Sequence, residues 1–112
     1  MKMVFAALCV LSFCACAIPA YCHPPQNISI IIEGPDVYVT VSHFVPNPRE
    51  HFIKTIKVSI NGATIIQQTF FLQEDSKQDV HYRIPGLKAG DTVAVEAGCF
   101  RFGVLVNSKK AE

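Results

Sequence analysis

The side chains best suited to chemistry in this chain of 112 residues are its histidines and its last cysteine, Cys99. Three of the histidines, His23, His43 and His51, stand where a predicted strand begins or ends. Imidazole nitrogens combined with one thiolate form a borderline-soft ligand set that suits Fe(II) or Zn(II) better than Mg(II) or Ca(II). Their spacing by itself defines no metal motif, so loop histidines and a small buried cysteine stand as the alternative.

The N-terminal segment differs in composition from the rest of the chain. Lys2 is followed by the uncharged apolar run Val4–Ala17, which is shorter than the roughly 20 residues that span a bilayer. This pattern is typical of a secretory signal peptide. We therefore predict a signal peptide at residues 1–20, one domain at residues 21–112, a secreted or periplasmic location and no membrane span. A lipid anchor at Cys16 is the alternative.

Without residues 1–20 the chain is formally neutral, with nine basic and nine acidic residues. A neutral surface argues against nucleic acid or anionic lipid as a partner, because both require a clustered basic face. Two cysteines remain, Cys22 and Cys99, which excludes a disulfide-rich scaffold. An exported location would permit one disulfide between them, as an alternative to a metal-binding role for Cys99.

Hydrophobic alternation indicates strands throughout the mature chain. In DVYVTVS the valines alternate with polar or amphipathic residues, and the same parity places His43 on the apolar face. The segments FIKTIKVSI and ATIIQQTFF flank Asn61-Gly62, a dipeptide that favours a type I′ hairpin turn. A polar loop is predicted at residues 73–79, before a strand at Val80–Ile84.

The strand TVAVEAGC sets Cys99 on the same apolar face as its valines, so Cys99 is predicted to point inward. No amphipathic helix pattern occurs. About seven short strands, with turn signals roughly every 8–12 residues, predict an all-β, immunoglobulin-like antiparallel β-sandwich. A small open barrel is the alternative. Strand ends that share one end of a sandwich could bring the histidines together.

Several segments in order resemble a known family. They are "HPP", a strand ending in "SH", "NPREHFI" followed by "KTIKVSING", and a terminal "AGCFRFG". Over nearly all of residues 22–103 the chain resembles the ferrous iron-binding domain of the desulfoferrodoxin and superoxide reductase family. The resemblance implies an immunoglobulin-like β-sandwich that holds a mononuclear non-haem iron through four histidines and one axial cysteine. It also implies reduction of superoxide to hydrogen peroxide, with a small electron-donor protein as partner.

Carried over by position, the resemblance makes His23, His43 and His51 equatorial ligands and Cys99 the axial thiolate. The family places a fourth histidine three residues after the cysteine, where this chain has Phe102. Phenylalanine cannot coordinate a metal. The remaining four ligands could close into a tetrahedral site for iron or zinc, or a water could keep the site open.

The loop before His51 contains Arg49 and Glu50, a charged pair that could approach the metal and is the candidate catalytic pair. His81, within a strand, is assigned a structural or surface role. The expected function is an exported metal-binding domain, with Phe102 weighing against catalysis. A superoxide reductase and a metal-free immunoglobulin-like interaction domain are the two alternatives, and the sequence predicts no oligomeric state.

Overall fold

The computed structural model describes residues 23–101 and 103–112. The predicted signal peptide at 1–20, Cys16, Cys22 and Phe102 therefore lie outside the described residues. Seven strands account for most of the described chain. They are β1 (Asn27–Glu33), β2 (Asp36–Ser42), β3 (Ile53–Ile60), β4 (Ala63–Thr69), β5 (Lys77–Arg83), β6 (Thr92–Cys99) and β7 (Val104–Lys110).

The strands form two antiparallel sheets, one in the order β1-β2-β5 and the other in the order β4-β3-β6-β7. This is the predicted all-β sandwich. The fourth strand pairs with the third, whereas in a constant-type immunoglobulin domain it joins the first sheet. Beside β1, two side chains of β7 donate to its backbone, as the Asn107 amide does to the carbonyl oxygen of Ile28 at 2.7 Å. The sheets are thus linked along one side.

The core lies between the sheets and follows the predicted alternation. In β2 the three valines are at most 1% exposed, whereas the side chains that alternate with them are exposed or half-buried. β6 behaves in the same way, with Val93, Val95 and Ala97 fully buried. Burying one such valine or isoleucine is worth roughly 1.5–3 kcal/mol relative to exposure. This inward row continues past the end of β2 to His43, which is 0% exposed, as its parity predicted.

The predicted hairpin turn at Asn61-Gly62 is confirmed. Asn61 has φ 50° and Gly62 has φ 86°, and a type I′ turn requires positive φ at both central residues. The hairpin joins β3 to β4, an edge strand whose side chains are mostly exposed.

The predicted polar loop at residues 73–79 is too long. Its last three residues, Lys77 to Asp79, already belong to β5, where they pair with the end of β2. Their side chains are polar because they face solvent, while their backbone groups are satisfied by the ladder, so polarity alone misplaced the boundary. The pattern also did not locate β7, whose residues are largely exposed. In the described ranges, no helix is long and apolar enough to cross a membrane.

The ends of four strands lie at one end of the sandwich. The end of β2 pairs with the start of β5, as Ser42 opposite Lys77 shows. The start of β3 pairs with the end of β6, through Ile53 opposite Cys99. The segments that precede or follow these ends therefore meet there, as the strand-end argument predicted.

Candidate metal centre

Three of the four predicted ligands converge at this end of the sandwich. The potential ligand atoms of His43, His51 and Cys99 all lie within 4.8 Å of one another. His43 directly follows β2, His51 lies two residues before β3, and Cys99 is the last residue of β6. Two sheets thus contribute to one buried group, in which both histidines are at most 3% exposed.

A short turn places His51. The backbone oxygen of Asn47 accepts hydrogen bonds from the backbone N–H of Glu50 at 3.1 Å and of His51 at 2.9 Å. The Asn47 side-chain oxygen accepts from the backbone N–H of Arg49 at 3.0 Å, which is the local bond that favours asparagine in turns. The loop "PNPREH" is therefore a compact turn that delivers the imidazole to a defined position.

Backbone hydrogen bonds hold the cysteine on the other side. The backbone N–H of Cys99 donates to the carbonyl oxygen of Gly103 at 2.9 Å, and that of Arg101 approaches the Cys99 sulfur at 3.4 Å. The thiolate is the form of cysteine that binds metals. The sulfur also lies 2.8 Å from Nε2 of His51. Cys99 is half-buried and belongs to the inward row of β6, as predicted.

Burial keeps both clustered histidines neutral. It lowers the pKa of His43, although a hydrogen bond from the ring to Gln73 partly opposes the shift. It also lowers the pKa of His51 to about 4, with further lowering by the neighbouring His43, His23 and Arg101. Only a neutral imidazole has a lone pair to offer a metal, so these side chains are in the binding form at pH 7.

Each of the two imidazoles has one buried nitrogen with no hydrogen-bond partner among residues 23–101 and 103–112. These atoms are Nε2 of His43 and Nδ1 of His51. Leaving a buried polar atom unpaired costs roughly 1–3 kcal/mol. Two ligands bound tetrahedrally to one Zn²⁺ at about 2.1 and 2.3 Å would lie roughly 3.6 Å apart, so Nε2 of His51 and Sγ of Cys99, now separated by 2.8 Å, would have to move slightly apart around an ion. The residues present therefore fit a metal ion.

His23 lies beside this group but is not part of it. Its ring centre is 5.4 Å from that of His43 and 5.6 Å from that of His51. Its Nδ1 has local partners, the carbonyl oxygen of Pro24 at 3.0 Å and the side-chain amide of Gln26 at 3.2 Å. The structure thus places the fourth predicted ligand next to the centre without bringing its nitrogen into the three-residue cluster.

A close backbone contact positions the arm that carries His23, which is the segment of residues 23–26 before β1. Gly103 has φ +91°, and a Cβ built on it would lie 2.8 Å from the Cβ of Pro24. Only glycine fits this left-handed conformation and close approach without strain. Gly103 is therefore packed directly on Pro24, the residue that follows His23.

The two residues of the predicted catalytic pair, Arg49 and Glu50, differ in position relative to the site. Glu50 lines a cavity of about 250 Å³ next to His51, together with Pro46, Asn47 and Arg101. Arg49 is exposed and does not line this cavity. The cation on the wall of the cavity is Arg101, whose Nε donates to the backbone oxygen of Glu50 at 3.2 Å.

Sequence reasoning missed two residues of this region. Arg101 stands two positions after Cys99, and a cation so close to a candidate thiolate is a signal that could have identified it. Gln73 contacts His43 directly and is 4% exposed, but its position in a polar stretch concealed its burial. His81 lies outside the site, where it stacks on Tyr38 with ring centres 4.4 Å apart and lies 2.9 Å from Asp36.

The fold has known counterparts among solved structures. The superoxide reductase (1Fe-SOR) from Giardia intestinalis superimposes with a TM-score of 0.60 and 16% identity, over 80% of this chain and 100% of that chain. The superoxide reductase from Nanoarchaeum equitans gives a TM-score of 0.49 and 20% identity, over 81% and 94%. A superoxide reductase in the oxidised state gives 0.49 and 18%, over 80% and 88%.

The chain therefore has the superoxide reductase fold, a conclusion that rests on the Giardia match. The resemblance inferred from the sequence is confirmed at the level of the fold. No protein family model matches the sequence, and no curated protein matches it. The site thus combines a desulfoferrodoxin-like sandwich with a His/His/Cys group that could bind a metal.

Proposed function

We propose that this protein is a metal-binding domain that holds a single iron ion, with zinc as the alternative metal. One observation carries the proposal: two neutral imidazoles and one cysteine from separate strand ends converge within 4.8 Å in a buried site. Nitrogen and thiolate ligands suit Fe(II) and Zn(II). His43, His51 and Cys99 are the core of the proposed ligand set.

His23 is the proposed fourth ligand. Its ring centre lies 5.4 Å from that of His43 and 5.6 Å from that of His51, so its imidazole is adjacent to the cluster. The position that the family gives to another histidine is Phe102 in this chain, and phenylalanine supplies no lone pair. A ligand set of three histidines and one cysteine would allow a closed tetrahedral site.

Superoxide reduction is the second candidate, and the cavity beside His51 favours it. Its volume of about 250 Å³ is ample for a diatomic anion, and Arg101 on its wall supplies positive charge. A ferrous ion in the site would supply one electron to superoxide, and an electron-donor protein would restore the ferrous state. In this chain Arg101 would attract the anion, and Glu50 would be the acidic group available to transfer a proton.

Metal content and reactivity test both candidates. The purified domain, residues 21–112, is reconstituted separately with Fe(II) and Zn(II), and the bound metal is counted. We expect one metal ion per chain and, after oxidation of the iron form, a visible thiolate-to-ferric charge-transfer band. A metal content near zero under both conditions would reject the proposal and leave the metal-free interaction domain.

Superoxide consumption by the ferrous form separates the two metal-binding candidates. Stoichiometric oxidation with release of hydrogen peroxide would establish the reductase reaction. An iron-loaded protein that is unchanged by superoxide would identify a domain that binds metal without catalysis.

We also propose that the protein is exported, to the periplasm or outside the cell. The uncharged apolar run after Lys2 supports this proposal. A fusion of residues 1–20 to a reporter that is active only after export tests it. Retention of the reporter inside the cell would contradict export, and palmitate labelling that requires Cys16 would identify the lipid-anchored alternative.

A further inference from the structure

Gln73 occupies an unusual position for a residue in a polar loop. It precedes β5, is 4% exposed and lies against the imidazole of His43. Its backbone N–H donates to the carbonyl oxygen of Pro48 at 3.3 Å, which ties it to the loop before β3. A buried amide side chain needs partners for both of its ends, and those partners determine how it is oriented.

Three backbone groups decide the orientation of the Gln73 amide. Its Oε1 accepts from the backbone N–H of Ile53 at 3.1 Å. Its Nε2 donates to the carbonyl oxygens of His43 at 2.7 Å and Asp75 at 2.8 Å. A backbone N–H can only donate and a carbonyl oxygen can only accept, so exchanging the two ends of the amide would break all three hydrogen bonds.

This orientation determines where the proton of His43 resides. Nδ1 of His43 lies 2.8 Å from Oε1 of Gln73, and a carbonyl-type oxygen can only accept. Nδ1 must therefore carry the hydrogen. A neutral imidazole has one protonated nitrogen, so the lone pair resides on Nε2, the buried atom without a partner in the described chain.

We propose that Gln73 is a positioning residue that holds His43 in its Nδ1–H tautomer and presents the Nε2 lone pair to the metal. The tautomer is a property of the metal-free protein, whereas the effect on the metal rests on the proposed function. Partners of this kind, hydrogen-bonded to a ligand histidine, typically change metal affinity by 10- to 100-fold when removed.

His23 provides the contrast. Oε1 of Gln26 accepts from the backbone N–H of Phe44 at 3.0 Å, so the Gln26 amide nitrogen faces Nδ1 of His23 at 3.2 Å. The carbonyl oxygen of Pro24 lies 3.0 Å from the same Nδ1. A donor and an acceptor compete for this atom, so either tautomer of His23 finds a partner. Gln26 therefore contacts a histidine as Gln73 does but does not select a tautomer, which makes it a control position for Gln73.

The decisive experiment records the two-bond ¹H–¹⁵N correlations of the histidine rings in the metal-free protein at pH 7.5, together with Zn²⁺ affinity. Gln73→Met keeps the side-chain length and removes all the hydrogen bonds that the Gln73 amide makes. Gln73→Glu keeps the acceptor that faces Nδ1. The control is Gln26→Met. All variants are compared by circular dichroism and by the dispersion of their amide spectra.

We expect wild type and Gln26→Met to show His43 as the Nδ1–H tautomer. Gln73→Met should give a mixture of tautomers and bind Zn²⁺ about 10- to 100-fold more weakly. Gln73→Glu should retain the Nδ1–H tautomer. If Gln73→Met does not fold, the wild-type and Gln73→Glu spectra still decide, because an Nε2–H tautomer in either would overturn the proposal.

A folded Gln73→Met with an unchanged His43 tautomer would also overturn it, as would unchanged Zn²⁺ affinity in a variant whose tautomer has shifted. If wild type binds no Zn²⁺, the proposed function fails on zinc, and the tautomer spectra still test the role of Gln73. The two failures are thus distinguishable.

Discussion

Nε2 of His51 lies 2.8 Å from Sγ of Cys99, although 48 positions separate the two residues in the chain. The pairing of β3 with β6 sets this distance, because Ile53 lies opposite Cys99. The neighbouring residues Phe52 and Phe100 reinforce it, with rings stacked 4.8 Å apart and the Phe100 N–H donating to the Phe52 oxygen at 2.8 Å. Strand register therefore positions two potential ligands before any metal binds.

The first prediction concerns the thiolate. Cys99→Ser removes the soft ligand and keeps the side-chain size, so we expect loss of the charge-transfer band in the oxidised iron form. Zn²⁺ affinity should also fall by at least about 100-fold, since zinc prefers thiolate to a hydroxyl group. Visible absorption and competition with a chelator measure these effects.

Cys22→Ser is the matched control for that experiment. If Cys99 is a ligand, Cys22→Ser should retain both the band and the affinity. If the two cysteines instead form a disulfide, a free-thiol count on the unfolded, non-reduced domain would find none, and the ligand role of Cys99 would be rejected.

The second prediction tests the contact between Gly103 and Pro24. Gly103→Ala must accommodate both φ +91° and a Cβ 2.8 Å from that of Pro24, whereas Gly90→Ala meets a similar φ of +92° with no atom within 4 Å. Backbone strain of this kind costs of order 1–3 kcal/mol. We expect urea unfolding to show both costs and only Gly103→Ala to weaken metal binding, because it displaces the arm that carries His23. Equal affinities in the two variants would argue against His23 as a ligand.

The third prediction concerns pH and the metal-free protein. Burial lowers the pKa of His51 to about 4 and also lowers that of His43, from an ordinary value of 6.5. At pH values between the folded-state and unfolded-state pKa of these histidines, the unfolded chain binds more protons than the folded chain. Their contribution to the free energy of unfolding is therefore fully present above about pH 6.5 and is lost as the pH falls toward 4. The slope is about 1.4 kcal/mol per pH unit for each proton.

Urea unfolding at several pH values between 7.5 and 4.5 measures this slope. The variant His51→Gln should have a shallower profile, because one of the two buried imidazoles no longer gains a proton on unfolding. A wild-type stability that does not change across this range would contradict the prediction.

The fourth prediction separates the two arginines near the site. Arg101 lines the cavity beside His51, and Arg49 does not. If the ferrous protein reacts with superoxide, Arg101→Gln should slow that reaction by about three- to ten-fold and reduce its dependence on salt, because a cation at the cavity attracts the anion. Arg49→Gln should behave as wild type. A larger loss of reaction rate in Arg49→Gln than in Arg101→Gln would instead support Arg49 and Glu50 as the catalytic pair predicted from the sequence.

Stopped-flow kinetics with pulsed superoxide at several ionic strengths measures both variants. Their iron content and charge-transfer spectra must match the wild type, so that any change in rate reports on the cavity and not on the metal.

The amino-acid sequence by itself determined the sandwich, the hairpin at Asn61-Gly62 and the inward positions of His43 and Cys99. These features follow from local rules, since side chains alternate along a strand and type I′ turns require positive φ. The same patterns located the loop before His51. They did not locate β7, because its exposed side chains lack a clear alternation.

Only the tertiary structure decided which groups meet. The sequence placed Arg49 beside the site and Gln73 in a polar loop, whereas packing brings Arg101 to the cavity and buries Gln73 against His43. Such contacts join residues 30 to 51 positions apart, and they depend on strand register and on how the two sheets stack. No local pattern encodes that distance, because the backbone hydrogen bonds that set it form between strands.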